Sequence, residues 1–203
     1  MVEDDNFVNW IELDTSNPIW GHFFTVSPLV VVGTKENDGY DLAPKHMAMP
    51  LGLENYFGFI CTPNHGTYHN VKREGFFTVS FPRPNQVVMT SLAATPRDCG
   101  ETDEKPIVYA LPTVPATAID GILLRDSYLF FECALDRIID GFGEYSLIAG
   151  RIIKGFVHED AYRVSDGDDE KMIRDMPLLA YLPYDRFAEI KDTRQFPYPK
   201  GFK

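Results

Sequence analysis

Apolar positions along this chain follow two rhythms. Residues 29–33 (LVVVG) form a short, almost wholly apolar and β-branched run, the pattern of a strand buried on both faces. Residues 127–139 alternate instead, with Leu129, Phe131, Cys133 and Leu135 on one side, as a half-buried strand does. Asp38-Gly39 follows the first run at hairpin distance, where Gly supplies positive φ without steric cost. Residues 40–43 are therefore predicted to return as its partner strand, and Pro44, lacking an N–H, to end the pairing. Residues 56–61 and 76–81 read as two more strands, the second stopped by Pro82. Strand signals also run through 23–34, interrupted at Ser27-Pro28.

The helical signals are shorter. Thr67 is placed to cap a helix over 68–74, which Gly75 would terminate. Asn85 is predicted to cap a second helix reaching about Ala94, with Val87, Val88, Leu92 and Ala93 on one broad face. Residues 95–118 are rich in Pro, Thr and acidic side chains, which predicts an irregular connection with one helical turn. Residues 145–157 then pair with 127–139 in a hairpin turning at 140–143. These elements predict a mainly β fold with short helices.

Composition narrows the function classes. A length of 203 residues is most simply one domain, 1–203, able to bury its own core. A net charge of −11 argues against nucleic-acid and anionic-membrane partners, which need clustered Lys and Arg. The first ten residues, MVEDDNFVNW, hold no apolar signal core, and no apolar run approaches the roughly 20 residues of a spanning helix. The expected location is cytoplasmic. Three widely spaced cysteines, Cys61, Cys99 and Cys133, are no disulfide framework and suit a reducing compartment. Residues 165–170 (SDGDDE) read as a solvated acidic loop lacking the glycine and terminal glutamate of a calcium-binding hand.

The ordered set Thr34, Asp38-Gly39, Asp41-Leu42-Ala43-Pro44, Thr67, Asn70-Val71 and Gly75-Phe76 resembles the flavin reductase-like family of FMN-binding split barrels. The run His46-Met47-Ala48-Met49 resembles the flavoredoxin branch of that family, and 177–182 with 186–190 resemble its closing segment. The dense likeness covers about a quarter of the chain. It implies a split β-barrel of Greek-key type, FMN as cofactor, NADH or NADPH as co-substrate, and a homodimer with FMN near the subunit interface. The implied activity is an NAD(P)H-dependent flavin reductase. A non-catalytic FMN electron carrier, or an FMN-dependent oxidase of the pyridoxamine phosphate oxidase kind, are its alternatives.

FMN needs donors and a cation for its phosphate and apolar walls with a few amides for its ring. Lys45 and His46 offer charge and N–H groups, Leu42, Ala43 and Met47 offer small or pliable walls, and Thr67 offers a hydroxyl at a helix start. His65 lies close by in sequence. The resemblance implies that Thr67 and Lys45 hold the phosphate and ribityl chain, with Thr34 at the strand end. It also implies that the backbone of 41–43 and Cys61-Thr62-Pro63 meet the isoalloxazine. Asp41 stands where the family usually has Asn, His46 where many relatives have Ser or Thr, and Tyr145 near where a later strand often opens with His. No catalytic acid or base is implied, because hydride transfer between nicotinamide and flavin needs position more than proton exchange. Cys61, His65 and His69 have a spacing that one helix face could turn on a metal, but Pro63 and Gly66 break that helix, so no metal site is expected.

Overall fold

The computed structural model describes residues 9–97, 105–164 and 167–201. The chain order is β1 (Ser27–Pro28), β2 (Val30–Lys35), β3 (Tyr40–Lys45), β4 (Ala48–Pro50), β5 (Tyr56–Cys61), α1 (Gly66–Glu74) and β6 (Phe76–Phe81). Then come α2 (Val87–Leu92), α3 (Ile107–Ala110), β7 (Thr113–Pro115), β8 (Ile122–Leu124), β9 (Leu129–Phe142) and β10 (Tyr145–Val157). The described elements close with α4 (Asp169–Asp175), β11 (Leu178–Leu182) and β12 (Arg186–Ile190).

Seven strands make one curled antiparallel sheet in the order β3-β2-β6-β9-β10-β5-β4, which forms half of a barrel. β1, β11 and β12 form a three-stranded sheet, and β7 with β8 a two-stranded one. The apolar run of β2 is buried on both faces because the sheet has a core on each side. Val30 and Val32 pack with Phe57, Phe59, Phe77, Val79, Cys133 and Ile148, whereas Val31 packs with Leu42, Ala93, Val108, Leu111 and Leu124. Edge-on aromatic pairs such as Phe59–Phe77, with centroids 5.2 Å apart, give the first cluster its shape. Gly33 is required where β8 crosses the sheet: a Cβ there would lie 2.3 Å from Thr78 Oγ1 and 2.6 Å from the Ile122 carbonyl. The large cluster thus joins strands to α1, and the smaller one joins β2, β3 and β8 to the segments around α2 and α3.

Several local expectations shift. β3 runs through Pro44 to Lys45, because it is an edge strand and β2 pairs with it on one side only. The long hairpin extends β9 to Phe142, so the chain reverses at Gly143 and Glu144 rather than over 140–143. The second helix begins after a 3₁₀ turn at Pro84–Gln86, whose start is closed by the Gln86 side chain accepting from the Arg83 N–H, not by Asn85. Its predicted apolar face is a core face only in part: Val88 and Leu92 are exposed and Val87 is half-buried, while Ala93 of that face is buried together with Thr90. Within 95–118 the described part holds α3 and also β7, and part of the 165–170 loop folds into α4, capped by Asp168 accepting from the Lys171 N–H. Cys61 and Cys133 are buried free thiols, and Cys99 lies outside the described residues.

One core position carries a charge. Glu132, in the middle of β9, is 0 % exposed. Its carboxylate accepts from the N–H of Thr117 at 2.9 Å, the Thr117 hydroxyl at 2.9 Å and the N–H of Ala118 at 2.6 Å. Burial pushes its pKa up, but those donors outweigh burial and hold it below the ordinary glutamate value. The link between β7 and β8 is therefore wrapped around a buried anion.

Candidate functional site

Strand β3 sorts the predicted site residues onto its two faces. Successive side chains of a strand alternate, so Asp41 and Lys45 share one side while Leu42, Pro44 and His46 share the other. On the first side Asp41 is buried, and its carboxylate receives Lys105 Nζ at 3.1 Å, Arg97 at 3.6 Å and the Thr67 hydroxyl at 3.5 Å. Lys105 also donates to the carbonyls of Leu42 at 2.7 Å and Ala93 at 2.6 Å. Arg97 pairs with Glu36, and its guanidinium lies over the start of α1, 3.1 Å from where a Gly66 Cβ would stand. Asn70 of α1 donates to Thr34 Oγ1 at 3.1 Å and to Glu36 at 3.2 Å. Thr34 is thus consumed in fixing α1 to β2.

Thr67 does not cap α1. The helix starts two residues earlier than predicted, His65 stands at the N-cap without a side-chain bond, and Thr67 is buried in the first turn. No acidic residue occupies that first turn, and Lys72 and Arg73 sit in the last. Gly75 ends the helix as predicted, at φ 76°, with its N–H on the Val71 carbonyl.

Lys45 is the cation left over. Its half-buried ammonium lies 3.5 Å from Cys61 Sγ and has no carboxylate within 4 Å among the described residues. The imidazole of His65 is held below its ordinary pKa by burial, then by the charge of Lys45, with Asp41 opposing and Lys105 assisting. Cys61 is buried, Thr62 and Pro63 are half-buried, and both of the latter line a shallow cleft of about 250 Å³ with Asn64 and the tip of the β9–β10 hairpin. Asp140 organises that tip by accepting from Ser146 at 2.6 Å and Tyr68 at 3.3 Å.

On the opposite side, the Leu42 side chain is fully buried in the smaller core cluster and presents no surface. His46 lines a separate cleft, its ring 4.8 Å from that of Tyr181, and its Nε2 is buried without a hydrogen-bond partner. Burial, then Lys45, holds its pKa below the ordinary histidine value. Ala43 is half-buried, and Met47 is 44 % exposed at the edge between the two faces. Among the described residues no three His, Cys, Asp or Glu side chains gather in a metal-holding set, and the exposed His69 of α1 lies edge-on to Tyr68.

The structure thus brings Asp41, Thr67, Lys45, Cys61 and His65 to one corner, and removes Leu42 and His46 from it. Sequence reasoning passed over Lys105, Arg97 and Glu36, which neutralise Asp41 and tie down α1. Lys105 lies 64 residues from Asp41 along the chain, and no local pattern marks it.

A family model described as flavin reductase like domain matches residues 22–181. The chain belongs to the flavin reductase-like family. Solved structures with the same fold include a 2-nitrobenzoate 2-nitroreductase from Pseudomonas fluorescens, 17% identical, with TM-score 0.76 over 95% of this chain and 98% of that one. A putative flavin reductase with split barrel domain from Shewanella frigidimarina is 16% identical, with TM-score 0.73 over 86% and 87%. An FMN-binding protein from Thermus thermophilus is 17% identical, with TM-score 0.72 over 92% and 98%. No curated protein matches the chain by sequence. The curled sheet of this flavin reductase-like chain is therefore half of a split β-barrel. Among the described residues no helix is long and apolar enough to cross a membrane.

Proposed function

We propose that this chain binds FMN and acts as an NAD(P)H-dependent flavin reductase. The observation that carries this reading is the ammonium of Lys45 beside the amino end of α1, with no carboxylate partner among the described residues, in a corner where Asp41 already faces Lys105 and Arg97. The donor set fits a phosphate monoester: one uncommitted cation, backbone N–H groups at a helix start without acidic residues, and the exposed His65. FMN, when bound, would supply the redox centre that takes a hydride equivalent from a nicotinamide.

The chain's own residues have positional work. Lys45 and the α1 N–H groups hold the anionic end, and the Thr67 hydroxyl fixes Asp41 so that its charge faces Lys105. The backbone of Ala43 and the half-buried Thr62-Pro63 turn offer amides and apolar surface to a flat ring. Met47, Met49 and Leu53 are exposed around this corner, and covering them by a second copy supports a homodimer as the working form.

The test is direct. The purified protein, titrated with FMN by fluorescence quenching, should retain it and turn yellow, and should then oxidise NADH or NADPH with excess flavin. Absence of FMN uptake would end the reading. Yellow protein that leaves both nicotinamides untouched would make it a carrier. Light scattering that gives a monomer in the FMN-loaded state would remove the dimer.

A further inference from the structure

Across β3 from the Lys45 corner lies a cleft of about 580 Å³ bounded by β3, α2 and the β11–β12 turn. Its size is within the roughly 300–1,000 Å³ of small-molecule sites. Leu29, Pro44, Val87, Leu92 and Phe187 give it apolar walls. Three of its features are unexplained by the fold. The side chains of Val88, Leu92 and Phe187 are left exposed at its rim. His46 and Tyr181 stand face to face at 4.8 Å, tilted by 37°, with His46 Nε2 enclosed and unpartnered.

The third feature is charge. Arg186 lines the cleft, is exposed, and makes no ion pair among the described residues. Asp185 is the one acid in the lining; its backbone N–H donates to the Tyr181 hydroxyl at 3.2 Å, and its carboxylate does not lie within 4 Å of Arg186. A guanidinium free of such a partner matches a carboxylate through two parallel N–H donors. The flat apolar walls and the ring pair match a planar aromatic body.

We propose that the cleft between β3, α2 and the β11–β12 turn binds a planar aromatic carboxylate, with Arg186 holding the carboxylate and His46 and Tyr181 meeting the ring. This inference rests on the cleft alone and stands whether or not the chain binds FMN. His46 is then a ligand of this second site rather than of the phosphate corner.

The probe is 2-naphthoate, titrated by calorimetry into the full chain without added flavin. Binding in the micromolar to low millimolar range is expected, weakened at least ten-fold for the neutral 2-naphthamide. Arg186→Ala should weaken 2-naphthoate at least ten-fold, and Arg186→Lys less than that. His46→Ala should also weaken it, and Val88→Asp, which adds an acid at the rim, should abolish it. No heat of binding with 2-naphthoate raised to about 10 mM, or equal affinity for acid and amide, would overturn the proposal. Binding of 2-naphthylmethylammonium as tight as that of 2-naphthoate would overturn it too, since Asp185 and not Arg186 would then set the charge preference. Indifference to both Arg186→Ala and His46→Ala would place the probe elsewhere on the molecule.

Discussion

Asp41 and Glu132 are both buried carboxylates, and they are held by opposite means. Asp41 faces two cations, Lys105 and Arg97. Glu132 has no cation in ion-pair reach among the described residues; backbone N–H groups and one hydroxyl surround it. An acid satisfied by N–H dipoles fixes the backbone that supplies them, here the connection between β7 and β8 over the sheet. An acid satisfied by side chains fixes the distant segments that carry those side chains, here α1 and the chain flanking 98–104. The first arrangement is architecture. The second sets the charge of a corner where Lys45 meets no carboxylate among the described residues.

Substitutions can break that contrast. Lys105→Met should be the most damaging, because it removes a cation from a buried pair and strips the Leu42 and Ala93 carbonyls of their donor. A loss of about 4 kcal/mol in urea unfolding is expected. The double variant Asp41→Asn, Lys105→Met should recover at least half of it, since no uncompensated charge then remains buried. Additive losses would show that the pair is not coupled.

Glu132→Gln should cost about 3 kcal/mol, because its amide –NH₂ would confront N–H donors that need an acceptor. Hydrogen exchange at Thr117 and Ala118 should quicken in step. The pH dependence has a definite sign. With its folded pKa lowered, Glu132 contributes stability that is full above the ordinary glutamate pKa of about 4.3 and is lost as pH falls through the folded value. The wild type should therefore destabilise on acidification in that window, and Glu132→Gln should do so less steeply. Parallel acid profiles for the two proteins would refute the assignment.

Smaller effects sharpen the ligand side. Lys45→Ala with Thr67→Ala should weaken FMN retention at least ten-fold, about 1.4 kcal/mol. Unchanged affinity in a fluorescence titration would remove both from the phosphate site. Gly75→Ala places a Cβ on a residue at φ 76° and should cost about 1 kcal/mol in thermal unfolding, with flavin affinity unaffected.

Much of the fold was legible along the chain, and the reason is local. Runs such as LVVVG in β2 and the alternation in β9 report burial through composition alone, and Gly75 reports its left-handed conformation because other residues pay a steric cost there. The alternation also foretold that Phe131, Cys133 and Leu135 would share the large core. What misled was also local: Asn85 was an available cap, yet the side chain of Gln86 closes the turn before α2, and Val88 and Leu92 mark a rim rather than a core.

The sequence by itself determined β2, β3, β5, β6, β9 and β10, the ordered motif from Thr34 to Phe76 and the family to which they belong, since each depends on residues close together in the chain. Only the tertiary structure decided which charges meet. Asp41 finds Lys105 and Glu36 finds Arg97 because strand pairing and helix docking carry segments more than sixty residues apart into contact. Electrostatic pairing depends on distance in space, and along the chain that distance has no signature.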